Sequence, residues 1–165
     1  MSYEVPSRKS DYYKIVGPIF YKVSIHEGPD KFLKQFARLS EPEKHLLATH
    51  WCQSEISNGG LTQFYMNSTG VLCPEAATGF EAIGLLDAAH IVRHASGIFG
   101  RPYQRHKHRR NAVLDRFDDM HPIWHAFADL DEAFYASLRS AGGYQKVADI
   151  YARIMTQGPG RHPDN

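Results

Sequence analysis

Two segments of the chain repeat one spacing of metal-ligating side chains. Asp87-x-x-His90-x-x-x-His94 and Asp118-x-x-His121-x-x-x-His125 each set a carboxylate and two imidazoles at positions i, i+3 and i+7. On a continuous helix these positions share a face, and imidazole with carboxylate suits zinc or iron. A metal-dependent enzyme holding a divalent ion such as zinc between two helices is therefore one reading. Three observations rank it below a pair of solvated helix faces. The first trio lies opposite an apolar stripe, where water is expected. Pro122 interrupts the second, and neither contains the Glu of a His-Glu-x-x-His motif. With 10 histidines in the chain, chance recurrence of such a spacing is easy.

A second group of polar residues sits in an unusual setting. From His45 to Pro74 the only Asp, Glu, Lys or Arg is Glu55. A soluble chain leaves so long a stretch uncharged when much of it is interior. Neutral hydrogen-bonding groups take the place of charges: Asn58, Gln63, Asn67 and Ser68, together with Glu55, form a candidate network. Buried amides need partners, since each unpaired one costs roughly 1–3 kcal/mol. These residues are expected to pin one short helix against a central one, and not to work on a substrate.

A third group is charged. Arg101, Arg105, Lys107, Arg109 and Arg110, with His106 and His108, form a basic block without an acid. Asp115, Asp118, Asp119, Asp129, Asp131 and Glu132 follow it with the opposite sign. Local pairing of neighbours contributes little. The functional reading is a bipolar face for a protein partner or for self-association as a homodimer, with Arg101, Arg105, Lys107, Arg109, Arg110, Asp118, Asp119 and Asp129 as contact candidates. Nucleic-acid binding through residues 101–110 ranks last, because the net charge of the chain is only +1.

No catalytic set emerges. There is no Gly-rich phosphate loop, no Ser nucleophile elbow and no Cys-x-x-Cys. His50 and Cys52 are two apart on a helix and point in different directions. The two cysteines, Cys52 and Cys73, read as small buried hydrophobes. The polar start MSYEVPSRKSDYYK lacks the apolar core of a signal peptide, and no run approaches a membrane span. A cytoplasmic location, no membrane partner and no cofactor are expected.

The elements that must position these groups are all helical. Ser40 and Glu43 make a capping box, with Pro42 in the first turn. The helix over about 41–58 is apolar nearly all round, which marks a central buried helix. Gly59-Gly60 should stop it, and a short helix should follow from Leu61. Gly17-Pro18 should divide the first helical region in two. Ala76, Ala77, Phe80 and Ile83, with Gly79 and Gly84 for close approach, and then Leu85, Ala88, Val92, Ala95 and Phe99, form the next inward stripes. A polar helix is expected over 103–117. Another follows from Ile123, and Asp131 is placed to divide it as an N-cap. Tyr144, Val147, Ala148, Tyr151, Ile154 and Met155 make the last stripe. No alternating strand segment of useful length occurs. The expectation is an all-α single domain over 11–156, about seven or eight helices, with a flexible arm at 1–10 and a flexible tail at 157–165.

The run Trp51…Glu55-Ile-Ser-Asn58-Gly59-Gly60-Leu-Thr-Gln63-Phe64-Tyr65-Met-Asn67-Ser68-Thr-Gly70 resembles a bacterial family of domains of unknown function named for a DNA-mimic protein. Phe80-Glu-Ala-Ile83-Gly84 and Leu130-Asp131-Glu-Ala-Phe134-Tyr135 look like later segments of the same family, and the match spans about residues 40–155. The resemblance implies an all-helical domain without known catalytic activity. Its named member imitates DNA with a carboxylate-rich surface and captures a DNA-binding protein. Duplex mimicry needs about one negative charge per 1.7 Å of helix axis, which a chain of net charge +1 does not present broadly. The expected function is a non-catalytic helical domain that binds an unidentified protein as a regulator or inhibitor.

Overall fold

The caps and breaks in the sequence place most of the helices. The structure is a computed structural model that describes residues 10–157. Over these residues it is an all-α single domain without strands. Its helices are α1 (Asp11–Ile19), α2 (Pro29–Phe36), α3 (Glu41–Met66), α4 (Cys73–Ala82), α5 (Leu86–Ala95), α6 (Lys107–Leu114), α7 (Ile123–Ser140) and α8 (Tyr144–Gln157). Two short 3₁₀ turns, Ser68–Leu72 and Ser96–Phe99, complete it. Of the expected arm and tail, residues 1–9 and 158–165 lie outside the described residues. Ser10 is buried and Gln157 ends α8. None of the described helices is long and apolar enough to cross a membrane.

Helix α3 is the centre, and α1, α4, α6, α7 and α8 all pack against it. Its start is fixed by the capping box, in which the Glu43 carboxylate accepts the Ser40 N–H at 2.8 Å. Leu46, Leu47, Ala48, Cys52 and Ile56 are wholly buried along it. The approach of α4 is made possible by Gly79. A Cβ there would lie 2.8 Å from the His45 carbonyl oxygen and 2.8 Å from Thr49 Cγ2. Gly84 plays another part: it has φ of 87° with open space beside it, so it turns the chain between α4 and α5.

Four expectations on element limits need correction. Pro18 does not divide the first helix but sits in its last turn, where its missing N–H removes one bond at the end of the helix. The chain then closes in turns, with the Lys22 and Val23 N–H groups donating to the Ile19 carbonyl. Residues 103–106 are not helical. Tyr103 and Arg105 hold them against the Ser68–Leu72 turn through bonds to the Gly70 and Val71 carbonyls. Asp131 does not divide α7, which runs unbroken; its carboxylate caps a different helix, as described below. On α8, Ile154 is 60% exposed and Met155 46% exposed, so the stripe ends at Tyr151 and Ala152.

His50 lies on α3 inside an aromatic nest. The rings of Tyr12, Tyr13 and Phe20 are centred 5.9, 6.2 and 5.7 Å from it. Burial pushes its pKa down to about 4 from the ordinary 6.5. Between those values the unfolded chain holds a proton on this ring that the folded chain does not. Stability is thus fully present above pH 6.5 and falls as the pH drops toward 4, by up to about 3 kcal/mol from this group. Melting temperatures across that window should fall more steeply for the wild-type chain than for His50→Gln. Separately, Gly79→Ala should lose about 1–3 kcal/mol by overpacking despite alanine's better helix propensity. Gly97→Ala, where a Cβ meets open space, should be near neutral, and thermal melts compare the two.

Candidate functional site

Gly59 and Gly60 are non-helical and break α3 into two helical arms, as their positions in the sequence predict. Gly59 is non-helical (φ −159°, ψ 28°), while Gly60 has φ 74° and ψ −178°, a region essentially reserved for glycine. Such a break frees carbonyls on its near side and N–H groups on its far side. Helix α7 serves both. The Tyr135 hydroxyl donates to the Ile56 carbonyl at 2.6 Å, and Asp131 Oδ1 accepts the Leu61 N–H at 2.7 Å. Asp131 and Tyr135 are four apart and share one face of α7. The carboxylate lies so close beneath Gly60 that a Cβ there would meet Asp131 Oδ2 at 2.3 Å. Burial raises the Asp131 pKa above the usual range, and the Leu61 N–H works against that rise.

Glu55 bridges the kink from one arm of α3 to the other. Its Oε2 accepts from Gln63 Nε2 at 2.7 Å and Asn67 Nδ2 at 2.8 Å, and its Oε1 accepts from Thr69 Oγ1 at 2.8 Å. The partners are all neutral, and each bond is charge-assisted. A carboxylate near a helix C-terminus is unfavourable by the helix dipole; these donors offset that.

Arg110, from α6, closes the far end of α3. It is 0% exposed. Its Nε donates to the Tyr65 carbonyl at 2.8 Å and Nη2 to the Asn67 carbonyl at 2.7 Å; Nη1 reaches the Arg105 carbonyl at 2.6 Å and that of Gln104 at 3.2 Å. Among the described residues, no carboxylate pairs with it. The guanidinium sits where the last turn of α3 leaves carbonyls unpaired and the dipole is negative. The Tyr103 ring is centred 6.0 Å away. Burial lowers the Arg110 pKa, though guanidinium remains charged in proteins. Gly70 lets this packing close, since a Cβ would stand 2.6 Å from the Phe64 carbonyl oxygen and 3.0 Å from Arg110 Nη2.

Of the network expected from sequence, the structure brings together Glu55, Gln63 and Asn67. Asn58 is exposed, and Thr69 holds the place assigned to Ser68. Asn58 lies on the outer side of the kink, and Ser68 opens the 3₁₀ turn facing a cleft. Of the contact candidates, Arg110 is corrected from surface to core. Arg105 is half-buried and forms a bidentate pair with Glu75 at 2.6 and 2.9 Å. Arg101, Lys107, Arg109, Asp118, Asp119 and Asp129 are exposed.

The Asp/His trios do not converge. Asp87, His90 and His94 are exposed on α5, while Asp118 and His121 precede the start of α7 and do not share its face with His125. The His121 ring packs 4.5 Å from Phe117, centre to centre, and its Nδ1 accepts the Ile123 N–H at 3.2 Å. Among the described residues, no group of three or more His, Cys, Asp or Glu is arranged to hold a metal ion. Cys52 and Cys73 are buried and free, and burial pushes the Cys73 thiol up to about 12.

Sequence reasoning missed Thr69, Arg110, Asp131 and Tyr135 as members of this arrangement. Two of them carried a readable signal. Arg110 is four before Leu114 on one inward face, and Asp131 shares its face with Phe134 and Leu138. A charge set in an apolar stripe calls for a buried partner.

The chain matches a family model described as DMP19-like protein over residues 37–157, and it belongs to that family. No curated protein and no solved structure gives a significant match. The matched region contains the whole kink arrangement, from Glu55 to Tyr135.

Arg110→Ala should lower stability by on the order of 3 kcal/mol or more, because several buried carbonyls lose their donor together. Arg110→Lys should recover only part of this, since an ammonium lacks the planar fork. Glu55→Ala should cost about 2–4 kcal/mol by stranding its donors. Urea unfolding of the three variants measures these losses; an unchanged midpoint for Glu55→Ala would contradict the structural role.

Proposed function

We propose that this DMP19-like family member is a non-catalytic binding domain that captures a partner protein through the acidic segment joining α6 to α7. The observation that carries the reading is a set of unsatisfied surface charges. Asp115, Asp118 and Asp119 in the segment, and Asp129 in the second turn of α7, are exposed, and none forms an ion pair among the described residues. Met120, at 87% exposed, stands among them. Two hydrogen bonds shape the segment: the Asp118 carbonyl accepts Trp124 Nε1 at 2.8 Å and its carboxylate accepts the Met120 N–H at 3.1 Å. An exposed methionine beside two aspartates suits a basic protein surface, with the charges raising the association rate.

This reading keeps one part of a DNA mimic's chemistry and drops another. Three exposed carboxylates fall within five residues, Asp115 to Asp119, in a chain whose net charge is +1. A regulator or inhibitor acting by occlusion needs no more than such a local face. Self-association between this segment and the exposed Arg101 and Arg109 is a competing use of the same charges.

The test is co-purification of the full chain with its partner from the native host, followed by affinity measurement on the identified pair. Asp115→Lys/Asp119→Lys should weaken binding by roughly 10-fold or more, chiefly through a slower and less salt-sensitive association. Its melting temperature should stay at the wild-type value. Unchanged affinity would reject the segment as the contact, and concentration-dependent dimers of the wild-type chain alone would favour self-association.

A further inference from the structure

A cleft of about 150 Å³ opens between the α1–α2 loop, the turn at Ser68 and the start of α6. Its lining includes His26, Arg105, His106, Lys107 and His108, and no carboxylate. Arg105 is committed to Glu75 and the Val71 carbonyl. The side chains of His26, His106, Lys107 and His108 form no ion pair among the described residues. The backbone N–H groups of Lys107 and His108, first in α6, find no acceptor among the described residues, and the Ser68 hydroxyl on the facing lip also makes no hydrogen bond.

The charge order of α6 runs against its own dipole. The helix opens Lys107-His108-Arg109-Arg110, with no acid in its first turn, and Asp115 follows its last. Acids belong at a helix N-terminus and cations at its C-terminus. Arg110 is explained by the carbonyls of α3. Lys107 and His108 have no such partner, so stability does not explain them. A residue choice that breaks a local rule without internal compensation points to function. An oxyanion in the cleft supplies the missing charge and accepts the orphan N–H groups. The half-buried Ile25 and Pro29 give the cleft an apolar edge that suits the organic part of an ester.

We propose that this cleft binds a phosphate monoester, its phosphoryl oxygens held by Lys107, His108, His26 and the first N–H groups of α6. The cleft is small beside the roughly 300–1,000 Å³ of pockets that enclose a drug-sized ligand. It takes a phosphoryl group with one small apolar or aryl substituent and leaves anything larger in solvent. The site is separate from the acidic segment and does not depend on the partner-binding reading.

The experiment is calorimetric titration of the full chain with inorganic phosphate and with phenyl phosphate, at ionic strength held constant with chloride. One-to-one binding of both is expected, phenyl phosphate roughly tenfold tighter through its contact with the apolar edge. Amide shifts at Ser68, Lys107 and His108 should accompany it. Lys107→Glu/His108→Glu should abolish binding while keeping the wild-type melting temperature, because acids suit the first turn of a helix. His26→Ala, on an exposed loop, gives a second variant, expected to bind several-fold more weakly. Equal affinity for the two ligands would keep the oxyanion site and assign it to free phosphate. Absence of saturable binding by either, or wild-type affinity in the double variant, overturns the proposal.

Discussion

A helix interrupted inside a protein strands main-chain carbonyls on one side of the interruption and N–H groups on the other. Each stranded group costs roughly 1–3 kcal/mol if nothing reaches it. Here the interruption falls at Gly59-Gly60, in the element against which α1, α4, α6, α7 and α8 all pack. The fold can tolerate it only because α7 arrives with a donor and an acceptor one turn apart, Tyr135 for the Ile56 carbonyl and Asp131 for the Leu61 N–H. The position of α7 is therefore tied to the kink as closely as to the apolar contact of Phe134 with Phe80. Without the kink, Glu55 and Gln63 would lie on one straight helix two turns apart, near the limit of side-chain reach. With it they bond at 2.7 Å.

One half-buried charge, Glu55, and one fully buried charge, Arg110, are satisfied in an uncommon way. Glu55 and Arg110 are opposite charges in the same region, yet they do not pair. Each is instead surrounded by neutral dipoles: amides and a hydroxyl for the carboxylate, carbonyls for the guanidinium. A buried ion pair often gains little over an apolar pair, because desolvation offsets the attraction. A charge satisfied by main-chain groups does something a pair cannot, since it fixes the ends of helices. This accounts for the near absence of charged residues between His45 and Pro74. The stretch supplies the dipoles, and the guanidinium comes from elsewhere in the chain.

Much of this scaffold could be read from residue spacing. The inward stripes of α4 and α5, the capping box, the central helix and the glycine break are local features, and periodicity or turn chemistry reports them directly. The role of Glu55 with Gln63 and Asn67 was legible too, because all three lie within one uncharged stretch. What escaped depended on distant partners. Arg110 looked like part of a basic surface block, since its carbonyl partners at Tyr65 and Asn67 are more than 40 residues earlier. Asp131 read as a cap for its own helix, when it caps one 70 residues away. The length of α6 was overestimated because the bonds that pull residues 103–106 out of a helix also come from the Ser68–Leu72 turn. The paired Asp/His spacing was real in sequence and empty in space, because Asp118 and His121 never join the helix that carries His125.

Several residues within the family-matched range gather at the kink. Glu55, Gly59, Gly60, Gln63, Asn67, Gly70, Asp131 and Tyr135 close the break or make room for the groups that do. These contacts give the segment a structural use: they hold the two arms of α3 to each other and to α7. Function has to be sought where charges remain unsatisfied, and α6 with its flanks is such a place. Arg110 and Leu114 anchor the helix to the core, which lets its exposed ends carry charges that the helix dipole opposes. Cations crowd its N-terminus and aspartates follow its C-terminus. A helix free in solution would be weakened by that order. Held as it is, α6 presents a positive cleft at one end and a negative face at the other, and the scaffold absorbs the cost of both.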